Sequence, residues 1–181
     1  MSGPAGFFVL VSGRAGSGKT TLARGLSPAL GIPLLSKDMI KEALADSLGL
    51  GDDAWSQRLG GASFEVMWAL AAHTPAAVLE TSWHRERARP RLEALGKPVV
   101  EVHCTCPDAV LRRRLEWRAG TDRHPIHREV ITPRLIDDIV DLAPAGDVLG
   151  LGPVLDVDTS QPVDARAVAE WVHRRVASPA R

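Results

Sequence analysis

Residues 7–20, FFVLVSGRAGSGKT, set a short apolar run directly before a glycine-rich turn and a lysine. The run Phe7 to Val11 is long enough for one buried strand and too short for a helix. It leads into Gly13-Arg14-Ala15-Gly16-Ser17-Gly18-Lys19-Thr20, which meets G-x-x-x-x-G-K-S/T at every fixed position. Glycines let the backbone turn tightly, so that successive N–H groups point inward and cradle phosphate oxygens. Lys19 adds a point charge able to reach the outer phosphates, and the Thr20 hydroxyl is suited to a magnesium ion. The residues that follow, Thr20 and Thr21 onward to Leu26, predict a helix whose positive N-terminal end strengthens the anion site. Strand, turn and helix together predict a site for a nucleoside triphosphate, bound by residues Gly13 to Thr21.

The 181 residues suffice for one domain with a real core and are too few for two ordinary ones. A net charge of zero gives no whole-molecule field toward nucleic acid or anionic membrane. The charge is nevertheless uneven. Residues 112–134 hold seven arginines against three acids, whereas 135–164 hold seven aspartates and no Lys or Arg. Such an asymmetry describes either two solvated faces or a basic segment reserved for phosphates. Cys104 and Cys106 stand two apart in a strand, on one face and poorly placed for a mutual disulfide. With His103 they form no full set at metal-ligand spacing and read as small buried residues. The N-terminus carries no basic leader, and no apolar stretch reaches membrane-spanning length, so a soluble, reduced, cytoplasmic protein is expected.

Further along, strands are expected at Ile32–Ser36, Ala77–Thr81, Val99–Cys104 and Val154–Asp158. The first helix is expected to kink at Pro28 or end near Gly31. Asp38 to Leu48 predicts a helix with Ile40, Leu44 and Leu48 as its apolar stripe. Ala54 to His73 predicts a longer one, weakened by Gly60-Gly61, and Arg85 to Leu95 a charged one with a break near Pro90. Pro107 opens a helix to about Ala119, a short acidic one covers about Pro133 to Leu142, and the last runs from Val163 to Val176. Alternating strands and helices predict an α/β fold, a parallel sheet with helices on both faces. Ligands in such sheets gather at the carboxyl ends of the strands. By that rule the glycine-rich turn, Ser36-Lys37-Asp38 and Glu80-Thr81-Ser82-Trp83 converge on one crevice.

Asp38 has two readings: a base that takes an acceptor hydroxyl's proton, or an N-cap, since it opens a helix. Glu80 ends an apolar strand, where a charge is costly unless paired or used. It either serves a magnesium ion or the acceptor, or it is the first solvated residue past the strand. Arg114 and Arg118, four apart on one helix face, either close over transferring phosphates or pair with Glu116 and Asp108. Arg123, His124 and His127 lie in the irregular stretch that follows, as phosphate or acceptor contacts or as plain loop residues. Trp83 and Trp55 offer a flat apolar wall for a ring-shaped acceptor, or belong to the core.

With those positions placed, the chain resembles the small P-loop kinases of adenylate-kinase-like topology, AAA-type ATP-binding proteins. Within them it is most similar to the group of polynucleotide 5′-kinases, zeta toxins and chloramphenicol phosphotransferase. Gly13–Thr20, Ser36-Lys37-Asp38-Met39-Ile40-Lys41, Glu80-Thr81 and Arg114-Leu115-Glu116-Trp117-Arg118 carry the resemblance. It implies a five-stranded sheet of order 2-3-1-4-5 and ATP with Mg²⁺. It also implies a lid at about 112–134 whose Arg114 and Arg118 hold phosphates, and Asp38 as general base. Asp38, Lys41, Trp55, Glu80, Trp83, Arg123, His124 and His127 would form the acceptor side, and Thr20 with Glu80 the metal site. Glu80 departs from the Asp common at its position, and the Arg123–His127 insert matches no one subfamily. The expected activity is ATP/Mg²⁺-dependent phosphorylation of a hydroxyl on a small molecule. Zero net charge and the acidic run Asp137, Asp138 and Asp141 favour a neutral or cationic ring-bearing acceptor, such as a nucleoside, sugar or antibiotic. The rival readings are a 5′-hydroxyl polynucleotide kinase and a nucleotide-binding NTPase or switch with no phosphorylated acceptor.

Overall fold

In the computed structural model, which describes residues 6–119, 124–127, 132–141 and 148–177, the first apolar run is the central strand. This is β1 (Phe7–Ser12), and its alternate residues are buried on opposite faces. β2 (Leu34–Ser36), β3 (Ala76–Glu80), β4 (Val99–Thr105) and β5 (Val154–Asp158) complete the sheet. Its order is β2-β3-β1-β4-β5 and every pairing is parallel. Among the described residues the helices are α1 (Lys19–Leu30), α2 (Lys37–Leu48), α3 (Asp53–His73), α4 (Arg85–Leu95), α5 (Asp108–Ala119), α6 (Pro133–Asp141) and α7 (Ala165–Ala177).

Two apolar layers follow from the alternation in the strands. Val9 and Val11 of β1 and Val100 and Val102 of β4 pack against Leu22 and Leu26 of α1 and Val168 and Val172 of α7. Phe8 and Leu10 face the other way, onto Met67 and Ala71 of α3 and Ala88 and Leu92 of α4. Leu111 and Leu115 of α5 meet Ile136 of α6 in a smaller cluster over the turn, where Ala15 touches them. No described helix is long and apolar enough to cross a membrane.

Several local expectations are corrected. β2 is short and begins at Leu34, because Ile32 and Pro33 complete the exit from α1; the Ile32 N–H bonds to Ser27 O at 3.2 Å. α1 does end at Gly31, one of the two expected outcomes, with Pro28 inside its last turn. α4 likewise runs through Pro90, with the ion pair Arg89–Glu93 (2.8 Å) spanning it. Leu48 is not a core residue but 59% exposed, and Ala45 takes the buried position on α2. Gly60-Gly61 do not interrupt α3. A Cβ at Gly60 would meet Lys37 Nζ and Lys41 Cε of α2 at 4.0 Å, an ordinary contact.

Candidate active site

The turn after β1 depends on residues without side chains. Gly13 has φ +132, and a Cβ there would sit 2.3 Å from Cys104 O. Gly18 caps α1 with φ +86, a left-handed conformation that costs other residues steric strain. Lys19, 8% exposed, directs its ammonium back into the turn and donates to Gly13 O at 2.6 Å and Arg14 O at 2.9 Å. Ser17 Oγ is buried with no hydrogen-bond partner among the described residues. A buried cation held by carbonyls and an orphaned hydroxyl in one turn fit a phosphate group, which accepts from both. Thr21 is exposed on the first turn of α1.

Glu80 is where the strand ends meet. It is not solvated; only 3% exposed, it accepts from Thr20 Oγ1 at 3.0 Å and from Ser36 Oγ at 2.6 Å. The residues expected at a metal, Thr20 and Glu80, are thus in direct contact, and a second hydroxyl, Ser36 of β2, joins them. Ser36 also corrects the cap of α2. It occupies the N-cap, with its Oγ 3.5 Å from Met39 N, and Asp38 is the second residue of the helix. The cap is thus Ser36 and not Asp38, whose side chain is half exposed and lies 3.1 Å from Lys37 Nζ.

The arginines are tied to the turn more closely than sequence suggests. Arg114 donates to Thr159 O and to Thr159 Oγ1 (3.1 Å), and lies 3.5 Å from Gly16 O. Thr159 Oγ1 in turn lies 2.7 Å from Ser17 O. Arg118 follows one turn further along α5, half-buried. Arg14 reaches Asp108 Oδ1 at the start of α5 and Val140 O near the end of α6, both at 2.7 Å. Neither the Arg14 side chain nor Thr159 stood out in the sequence. Arg14 occupies a free position of the turn motif, and Thr159 is an isolated hydroxyl beyond β5.

The remaining acceptor-side residues divide into two groups. Trp83 is buried against Trp68, ring centroids 6.1 Å apart, and its indole N–H donates to Val11 O at 3.2 Å. It therefore supports the base of the turn from the α3–α4 side. Trp55, Lys41, His124 and His127 gather instead around Ala45, Leu59 and the buried Ile126. His124 Nε2 lies 3.0 Å from Asp46 and His127 Nε2 3.0 Å from Glu42, while Lys41 bonds Ser56, which bonds Ile126 O. The Trp55 indole donates to Gly49 O. Arg123 lies outside the described residues. Cys104 and Cys106 are buried free cysteines, and burial pushes the Cys104 thiol up to about 12.

No curated protein sequence matches this chain. Among solved structures, a candidate kinase from Chloroflexus aurantiacus J-10-fl aligns with a TM-score of 0.87 and 30% identity, over 94% of this chain and 98% of that one. A gluconokinase from Sinorhizobium meliloti 1021 shares the fold at TM-score 0.56 and 18% identity, over 97% of this chain and 95% of its own. A shikimate kinase from Bacteroides thetaiotaomicron does so at 0.54 and 20%, over 94% and 96%. The AAA domain family matches residues 8–133, from the second residue of β1 to the first of α6. With that span matched, and with the sheet order that the resemblance implies now seen in the strands, the chain belongs to the AAA domain family and has a small P-loop kinase fold.

Proposed function

We propose that the protein is a kinase that transfers the γ-phosphoryl group of ATP, with Mg²⁺, to a hydroxyl of a small molecule. The observation that carries this is Glu80. One buried carboxylate joins Thr20 of the nucleotide turn to Ser36 of the segment that presents Asp38, so donor and acceptor sides share one crevice. Kinases of small molecules among the similar folds support the same reading.

In this reading Gly13 to Thr21 hold the nucleotide phosphates, and Thr20 and Glu80 are the residues that would hold magnesium. The metal neutralises charge on the phosphate oxygens when bound. Asp38, half exposed and not the cap of α2, orients the acceptor hydroxyl. As the new O–P bond forms and the bond to the ADP oxygen breaks, the acceptor's proton passes to Asp38. Arg114 holds Ser17–Gly18 in place through Thr159, and Arg118, one turn further along α5, meets charge on the phosphates. Lys41, Trp55, His124 and His127 fix the 124–127 turn against α2 and α3 and shape the acceptor side.

The test is transfer from labelled ATP to a panel of hydroxylated metabolites, with 5′-hydroxyl oligonucleotides alongside. Lys19→Ala should abolish transfer and, because it removes the bonds to Gly13 O and Arg14 O, lower the melting temperature while leaving the chain folded. Labelling confined to oligonucleotides and steeply weakened by salt would replace the small-molecule acceptor with a polynucleotide end. ADP formation with no labelled product under any condition would reject the kinase assignment.

A further inference from the structure

A cleft of about 420 Å³ lies between α3 and α4, within the size range of small-molecule sites. Its walls are aromatic: Phe64 and Trp68 from α3, and Trp83 from the segment after β3. Two contacts connect it to the candidate active site. Trp83 is bonded to Val11 immediately before the phosphate turn, and Lys37 Nζ lies 5.7 Å above the Phe64 ring and 3.1 Å from Asp38.

The charges around it are not balanced. α4 carries four arginines, three of them engaged. Arg85 bonds Val148 O, Arg89 pairs with Glu93, and Arg91 pairs with Glu65 at 2.7 Å while lying over Trp68. Arg87, which lines the cleft, makes no ion pair or side-chain hydrogen bond with the described residues. Beside it α4 begins at His84 with no side-chain cap, so the positive end of an 11-residue helix opens on the same end of the cleft. An unpaired guanidinium and an uncapped helix start favour an anion, and the aromatic walls favour a flat or apolar body.

We infer that the acceptor is a small hydroxylated anion. Its carboxylate or phosphate monoester is bound by Arg87 and the start of α4, its body lies between Phe64, Trp68 and Trp83, and its hydroxyl faces Asp38. This rests on the phosphotransferase reading. It reverses the neutral or cationic acceptor expected from sequence, because a net charge of zero does not register where an unpaired charge lies.

Calorimetric titration of the full chain tests it, with probes in matched pairs: cyclic hydroxycarboxylates against their carboxamides, and hydroxylated phosphate monoesters against the dephosphorylated compounds. At least one anion should bind about tenfold or more tightly than its neutral partner, the scale of one charge-assisted contact. Which pair shows the difference separates carboxylate from phosphate. Arg87→Gln should erase the preference, and Arg87→Lys should restore part of it. Gly61→Leu fills the cleft from a position where an added Cβ meets nothing within 4 Å. It should abolish binding of the preferred probe and leave melting temperature and ATP affinity intact. Neutral partners binding as well, no anion binding, or a preference that survives Arg87→Gln would each overturn the inference. ATP affinity measured in the same samples keeps the two readings apart, since its absence rejects the kinase and its presence without anion preference rejects only the anionic acceptor.

Discussion

Asp38 and Ser36 stand two positions apart at the start of α2, and their chemistry divides cleanly. Ser36 Oγ faces the Met39 N–H and donates to Glu80, whereas the half-exposed Asp38 carboxylate pairs with Lys37. Asp38→Asn is therefore expected to lower turnover by roughly 10²–10⁴-fold, the usual worth of a proton acceptor, with little change in melting temperature. Ser36→Ala removes a cap and strips one donor from a buried carboxylate. It should cost about 1–3 kcal/mol of stability. Paired measurements of kcat and urea midpoint on both variants check this; a stability loss at Asp38 equal to that at Ser36 would return the cap to Asp38. Sequence alone could not make the separation, since Ser and Asp are both strong caps and S-K-D places both within one turn. Glu80 was half legible. Its position at the end of an apolar run marked it as costly, but the hydroxyls that satisfy it come from α1 and β2, far away in the chain.

At the scale of elements, α5 and α6 are fastened to the phosphate turn by a side chain belonging to the turn itself. The Arg14 side chain is only 10% exposed and bonds both Asp108 and Val140 O. Arg14→Ala should cost about 1–3 kcal/mol, toward the lower end because Asp108 is exposed and its share is screened. For a chain of this size that corresponds to a drop of roughly 2–4 °C per kcal/mol. Amide exchange should quicken in α6 more than in α1, because α6 loses its tie while α1 keeps the packing against α7. Uniform quickening across both helices would show that Arg14 acts on global stability instead. The helices were mostly readable from periodicity and their Gly and Pro punctuation. The errors fell where neighbours decide. Pro90 is tolerated within α4, where a break was expected.

For the molecule as a whole, the α/β class followed from alternating strands and helices, but the order of the strands did not. Which strand lies beside β1 is set by crossovers between distant segments, and only the resemblance carried by the phosphate turn and its companions supplied it. That central position makes β4, paired with β1 on one side and β5 on the other, a reporter of global opening. Cys104 lies in β4 within the α1–α7 layer, 1% exposed, and burial raises its thiol from the ordinary 9.0 to about 12, with Lys19 opposing the shift. The sign is fixed by linkage. Between those two values the folded state keeps a proton that the unfolded chain releases, so the stabilisation is full below pH 9 and declines as pH rises toward 12. The chain has no tyrosine, so no phenol titrates across that window. Urea midpoints measured from about pH 8 to about pH 11 should therefore fall with pH. The fall should be shallower in Cys104→Ala, whatever that variant's overall stability, because the lysines titrate alike in both proteins. At about pH 8 the native thiol should react with a disulfide reagent only as fast as the sheet opens. Identical pH slopes in the two proteins, or fast labelling of Cys104 in the folded state, would show that the thiol is not held neutral by the core.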